Sequence, residues 1–206
     1  YMQARYYDPV IGRFYSNDPV GFKNVHNFNR YSYANNNPYK YIDPDGRDAY
    51  LVSRPLASSP AGNHNFIVSQ AGYMGDPSAT VNSWGPLENG NMGSVNDVNS
   101  GGAAQTWEDD MKAWQSLASG GGAEGVTFRE IDANDVRVEH IADSVKSNKD
   151  YSYVPSMTSD SVNSNSAAGA VANAADGQST AVEHGGWQPG HKQADRVEFD
   201  EEMRDQ

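Results

Sequence analysis

One stretch constrains this chain more than any other: Val162-Asn163-Ser164-Asn165-Ser166-Ala167-Ala168-Gly169-Ala170-Val171-Ala172-Asn173-Ala174-Ala175-Asp176-Gly177. It reads as a helix made almost wholly of small residues. The Asn and Ser residues at its start offer side-chain oxygens to first-turn N–H groups, and Gly177 accepts the left-handed conformation that ends a helix. Ala167, Ala170, Val171 and Ala174 share a face at helical spacing, and the opposite face carries little more bulk. A helix this thin fits against a sheet with its backbone very close to its neighbours. Ser164 then lies at the positive end of the helix dipole, beside backbone N–H groups suited to an oxyanion. The same residues also describe a well-capped helix and nothing more, so the rest of the chain has to weigh between the two.

A chain of 206 residues supports one sizeable core or a domain with an appendage. It contains no cysteine, which excludes disulfides, thiolate metal sites and a cysteine nucleophile and leaves the redox compartment open. No run of about 18 apolar residues occurs, so no transmembrane helix is expected. Tyr1-Met2-Gln3-Ala4-Arg5 does not resemble a signal peptide, and the start is expected to be a cut inside a longer protein. Charge is uneven: residues 1–46 hold five Lys/Arg and four Asp/Glu, residues 47–206 ten and twenty-three, which makes +1 and −13 of the total −12. An acidic domain repels phosphate backbones, which weighs against a nuclease and against nucleic acid as partner. It favours a basic protein partner instead.

Eight of the twelve tyrosines lie before residue 47. That segment runs Tyr6-Tyr7-Asp8-Pro9-Val10-Ile11-Gly12-Arg13-Phe14-Tyr15-Ser16-Asn17-Asp18-Pro19-Val20-Gly21, then through Asn29-Arg30-Tyr31-Ser32-Tyr33-Ala34-Asn35-Asn36-Asn37-Pro38 to Asp43-Pro44-Asp45-Gly46. Physically it is short aromatic strands between Asp-Pro-x-Gly and Asn-Asn-Pro turns, with too little core to stand alone. The segment resembles the core-associated end of the YD-repeat shell of Rhs proteins, large bacterial polymorphic toxins. The resemblance implies that residues 1–46 close a shell and that residues 47–206 are the variable C-terminal toxin it encloses. It further implies self-cleavage after Gly46 by an aspartate pair at Asp18 and Asp43, two carboxylates that share one proton. Family members carry Leu after that glycine where this chain has Arg47, and both aspartates equally fit a purely turn-forming role.

In residues 47–206, Ala49-Tyr50-Leu51-Val52-Ser53 and His64-Asn65-Phe66-Ile67-Val68 read as strands, with His64 and Phe66 on one face. Thr80-Val81-Asn82-Ser83-Trp84 reads as a third strand, followed from Leu87 to Ala104 by a long loop of the kind that serves as a lid or mobile rim. A helix opens at Thr106-Trp107-Glu108-Asp109-Asp110-Met111, with Trp107, Met111, Trp114 and Leu117 as its buried stripe. Val126 to Ile131 reads as a strand, Asp132 to Asn134 caps a helix with Val138, Ile141, Ala142 and Val145 inward, and Asp195 to Phe199 reads as a last strand. The expected class is α+β with a mostly antiparallel sheet.

The five histidines are His26, His64, His140, His184 and His191. His184, His191 and Asp195 match no established metal spacing, and the loop Asp132-Ala133-Asn134-Asp135-Val136 lacks an oxygen ligand at Val136, so no metal or other cofactor is expected. What remains is His64 with Ser164. A hydroxyl is a poor nucleophile until a base takes its proton, so a serine at a helix start needs an imidazole in reach. A buried, hydrogen-bonded structural histidine is the alternative for His64. The order of His64-Asn65-Phe66-Ile67-Val68 and then Asn163-Ser164-Asn165-Ser166 resembles circularly permuted papain-like proteins, the group of lecithin:retinol acyltransferase and NlpC-type relatives, with Ser164 in place of their cysteine. That resemblance implies a permuted papain-like fold and an orienting group from the neighbouring strand, for which Asn82 and Ser83 are the candidates.

Together these readings describe a secreted antibacterial effector, delivered into target bacteria, that hydrolyses or transfers an acyl group through Ser164 with His64 as base. A lipid ester is the preferred substrate and a cell-wall or protein amide the rival; a non-enzymatic toxin that disrupts membranes or binds a target is a separate class. The expected partners are a cognate immunity protein and the remainder of the Rhs shell.

Overall fold

The computed structural model describes residues 6–8, 10–11, 13–16, 48–56, 62–96, 104–119, 122–155, 160–182 and 187–204. Asp18, Asp43, His26 and His184 lie outside the described residues, as does the junction at Gly46 and Arg47.

Near the N-terminus, β1 (Tyr7–Asp8) pairs antiparallel with β2 (Arg13–Phe14). The Asp8 carboxylate closes the turn between them. Its Oδ1 accepts from the Val10 and Ile11 N–H groups at 2.8 and 3.4 Å, and the Tyr15 hydroxyl donates to Oδ2 at 2.7 Å. The Tyr15 bond, followed by that of Val10, holds the Asp8 carboxyl below the usual carboxylate range.

The main body is α+β. Its sheet has four antiparallel strands in the order β5-β4-β3-β8, from β3 (Asp48–Pro55), β4 (Asn63–Ala71), β5 (Thr80–Asn82) and β8 (Thr127–Ile131). The two central strands are buried on both faces, which is why they read as nearly continuous apolar runs. Strand alternation sends Tyr50, Val52, Phe66 and Val68 to one face, where they meet Ala113, Trp114 and Leu117 of α1 (Ala104–Ser116) and the 3-10 turn that follows it. Ala49, Leu51, Ile67 and Ile131 go to the other face, against α2 (Asp135–Asp143) and α3 (Ser164–Asp176). One helical layer therefore lies on each side of the sheet.

The small-residue helix is buried more completely than a one-faced stripe requires. Ser164 through Ala172 are all buried, because the sheet covers one side and Thr180 and the 3-10 helix His191–Arg196 cover another. Gly169 marks the closest approach: a Cβ there would stand 2.6 Å from the Thr180 carbonyl oxygen. Asn163 and Ser166 form a reciprocal capping box at the start, and Gly177, at φ 71°, ends the helix.

Three expectations are corrected. The strand expected at Asp195–Phe199 is instead the end of the 3-10 helix followed by an extended segment. Among the described residues that segment joins no sheet; it lies against the C-terminus of α2 through Lys146 N–H to Glu198 O, Asp200 N–H to Ser144 O and one bridge between Val145 and Phe199. The strand expected at Thr80–Trp84 breaks at Ser83, whose N–H is taken by Asn96 Oδ1 and whose carbonyl accepts from Val95. The stretch read as one long loop contains β7 (Met92–Ser94), which pairs with β6 (Trp84–Pro86) and buries Met92 and Val95. A short helix, α4 (Glu201–Arg204), closes the described chain.

Candidate active site

His64 begins the run of β4 that faces α1: it is the cross-strand partner of Arg54 and stacks on Phe66 at 6.4 Å between ring centroids. Ser164 approaches from the other layer, at the N-terminus of α3. The two meet at the end of the sheet, with Ser164 Oγ 2.8 Å from His64 Nδ1. On the far side of the ring, His64 Nε2 is 2.9 Å from Asp110 Oδ2, supplied by α1. A serine, a histidine and an aspartate from three elements thus stand in hydrogen-bonded series, all buried.

The Asp110 carboxylate collects three donors. Besides His64, the Ser83 hydroxyl donates to Oδ2 at 2.6 Å and Arg54 Nε donates to Oδ1 at 2.5 Å. Both Arg54 and Asp110 are buried, and a buried charge is tolerable only when paired and hydrogen-bonded in this way. Because an ionised carboxylate only accepts, the proton on the imidazole belongs at Nε2. Nδ1 then presents its lone pair to the Ser164 hydroxyl, which is the arrangement a general base needs. The ring is used in the opposite sense to the Ser-His-Asp arrangement in which Nε2 faces the serine.

The sites read from sequence divide as follows. Ser164 and His64 are brought together. Ser83 reaches the ring only through Asp110. Asn82 does not touch it, since its register opposite Ile67 places it on the other face, where its Oδ1 accepts from Asn96. The group on the far side of the ring is Asp110, which the sequence places only in the opening of a helix. Among the described residues no group of three or more His, Cys, Asp or Glu side chains is placed to share a metal ion. His191 sits against the Gln188 carbonyl, 2.6 Å from its Nδ1.

Several groups could serve a developing oxyanion. The capping box uses the N–H groups of Asn163 and Ser166, and Ala167 N–H closes onto the Asn163 carbonyl. The N–H groups of Ser164 and Asn165 have no acceptor among the described residues, and both sit in the first turn where the dipole favours negative charge. The Tyr151 phenol lies beside Ser164; burial foremost, and then the nearby Tyr153, pushes it above its ordinary value, while hydrogen bonding with Ser164 acts the other way.

Comparison with known proteins adds context at the level of the longer chain. The sequence is 35% identical over 88 residues to tRNA nuclease WapA of Bacillus subtilis (strain 168), which is 42% of this chain and 4% of that protein. It is 37% identical over 85 residues to salivary gland surface protein 1 of Aedes aegypti, 41% of this chain and 2% of that protein. It is 44% identical over 46 residues to the putative uncharacterized protein YibJ of Escherichia coli (strain K12), 22% of this chain and 18% of that one. The chain therefore spans only a small fraction of the curated relatives it matches. These are distant, partial likenesses to large YD/Rhs-repeat-type proteins, and those to WapA and YibJ are to the polymorphic-toxin type, in which the C-terminal toxin varies. No protein-family model matches the chain, and no solved structure matches it significantly. Among the described residues no helix is long and apolar enough to cross a membrane.

Proposed function

We propose that this chain is the C-terminal end of an Rhs-type effector in which residues 47–206 are a serine-dependent acyl hydrolase or acyltransferase with a permuted papain-like fold. The observation that carries the reading is the buried series Ser164–His64–Asp110, with contacts of 2.8 and 2.9 Å. In this reading His64 Nδ1 takes the proton of Ser164 as Oγ attacks an acyl carbon. The imidazolium is stabilised by Asp110, and the oxyanion falls to the first-turn N–H groups of α3 and the Tyr151 hydroxyl. His64 then returns the proton to the departing alcohol, and water or a second acceptor releases the acyl group. An ester suits this site before an amide, because an alcohol leaves with less protonation than an amine, and a lipid ester is the preferred substrate.

The delivery context follows the WapA and YibJ likenesses: a secreted effector acting in target bacteria, released from its shell by cleavage after Gly46 and held in the producing cell by an immunity protein. A net charge of −12 favours a basic face on that partner. The nuclease name of WapA does not transfer, because the shared segment is 4% of that protein and the acidic chain repels a phosphate backbone.

The deciding experiment expresses the chain in bacteria beside Ser164→Ala and profiles lipids, cell wall and RNA. The parent is expected to accumulate free fatty acid or lysolipid, with RNA intact and no change for Ser164→Ala. Released cell-wall peptides would move the substrate to an amide. Toxicity retained by Ser164→Ala, or degraded RNA, would sink the acyl mechanism.

A further inference from the structure

The side chain of Asn165, the residue after Ser164, takes no part in the proposed reaction, yet it has an unusual set of partners. Asn165 Oδ1 accepts from the Asn65 N–H at 2.7 Å, and its Nδ2 donates to the Asn63 carbonyl at 2.9 Å and to the Pro189 carbonyl at 2.8 Å. Asn63 and Asn65 are the two neighbours of His64. Both point these groups away from β3, towards the edge where β5 pairs with β4 only at Ile67, Val68 and Ser69. Beyond the end of β5 no strand covers that edge among the described residues: the Trp187 carbonyl takes the Asn63 N–H at 2.8 Å, and the Asn63 carbonyl and Asn65 N–H need partners of their own, because buried main-chain groups are costly to leave unpaired. One carboxamide supplies a donor and an acceptor with the spacing of a peptide group, so the Asn165 side chain continues the ladder where the strand stops.

We propose that Asn165 is a positioning residue for the reaction: by bridging the backbone on either side of His64, it fixes the separation of Ser164 and His64. The proposal rests on the serine-hydrolase reading. Its geometric basis is that the bridge joins the two reacting groups by the shortest available route. Asn165 is bonded in sequence to Ser164, and its partners are bonded in sequence to His64. Among the described residues, the other side chains at the start of α3 turn elsewhere: the Ser166 hydroxyl bonds Gly190 O, and Asn163 Nδ2 bonds the Tyr153 and Pro189 carbonyls. Asn165 is also buried, so water does not readily replace the lost partners when the side chain is removed. His64 keeps its bond to Asp110 independently, because that contact is made on the opposite side of the ring. Loss of Asn165 therefore separates serine from base while leaving base and acid together.

The test uses the full chain and a fluorophosphonate probe, which needs no knowledge of the substrate. Ser164 Oγ displaces fluoride from phosphorus, forming an O–P bond while its proton passes to His64. Labelling rates are compared for the parent, Asn165→Ala and the near-isosteric Asn165→Asp, which keeps the acceptor for Asn65 N–H but loses both donors. The low-field His64 ring N–H resonance and the hydrogen exchange of the Asn65 amide are followed in parallel. The expected result is labelling slowed about 100-fold in Asn165→Ala, faster exchange at Asn65, and a His64 resonance that stays in place. If Asn165→Ala does not fold, Asn165→Asp carries the same expectation. Parental labelling in a folded variant overturns the proposal. So does loss of the His64 resonance together with labelling, which would make Asn165 a general support of the fold. A parent that the probe leaves unlabelled overturns the serine-hydrolase reading itself, and that outcome is distinct from both.

Discussion

Asp110 on α1 and His64 on β4 meet across a 2.9 Å contact between Oδ2 and Nε2, and the carboxylate in that contact has no solvent exposure. A buried acid on one ring nitrogen fixes which nitrogen is left to act as base.

Ser164→Ala and His64→Ala should each abolish fluorophosphonate labelling and toxicity with unchanged far-UV circular dichroism. Asp110→Asn keeps the shape but presents a donor to the ring and favours the wrong tautomer. By analogy with such substitutions elsewhere it should slow labelling about 10,000-fold. A full-rate Asp110→Asn variant would remove the acid from the mechanism.

Arg54→Met leaves the Asp110 carboxylate buried without its guanidinium. Breaking a buried pair from one side costs about 3–5 kcal/mol, which urea unfolding should register as a lower midpoint. Arg54→Met with Asp110→Asn should recover part of that stability and none of the labelling. Equal stability of the single and double variants would show that the pair is not coupled.

How much of this was legible in the sequence turns on the same two residues. The capping run and closing glycine of α3 mark its ends in the sequence, and a serine at a helix start calls for a base, for which His64 is the candidate. Asp110 was hidden in Glu108-Asp109-Asp110, which looks like a solvated first turn. Its spacing from Trp107, Trp114 and Leu117, however, puts it on the apolar face of α1. Arg54 likewise follows Tyr50 and Val52 on the α1 face of β3. Opposite charges on two facing apolar stripes were the available signal. The 3-10 helix at His191–Arg196 had no such signal, because buried Val197 and exposed Glu198 continue an alternation that fits a strand whether or not a neighbouring strand exists.

Gly169→Ala pushes a methyl group against the Thr180 carbonyl, where a Cβ would stand 2.6 Å away. Overpacking of this kind typically costs about 1–3 kcal/mol, and thermal unfolding should show it. Ala174→Ser, on the partly buried end of the same helix, should cost less. The reverse ranking would mean that the covering segment yields easily.

Burial raises the Tyr151 phenol above its ordinary value. The folded chain therefore holds this proton where the unfolded chain releases it. The stability so contributed is complete below pH about 10 and is lost as pH rises from there through the raised folded value. Chemical unfolding across this alkaline range should show a decline that Tyr151→Phe makes shallower. A parallel decline in both would assign it to other groups.

His64 and Ser164 are separated by 100 positions, with Asp110 between them. During synthesis the base leaves the ribosome first, the acid next and the nucleophile last, and the three converge only when both helical layers have closed on the sheet. Under the proposed toxin function a partly made or unfolded chain is harmless. A producing cell then has the interval between translation and closure in which to cap the protein, and passage through a membrane as an extended chain would disarm it until it refolds on the other side.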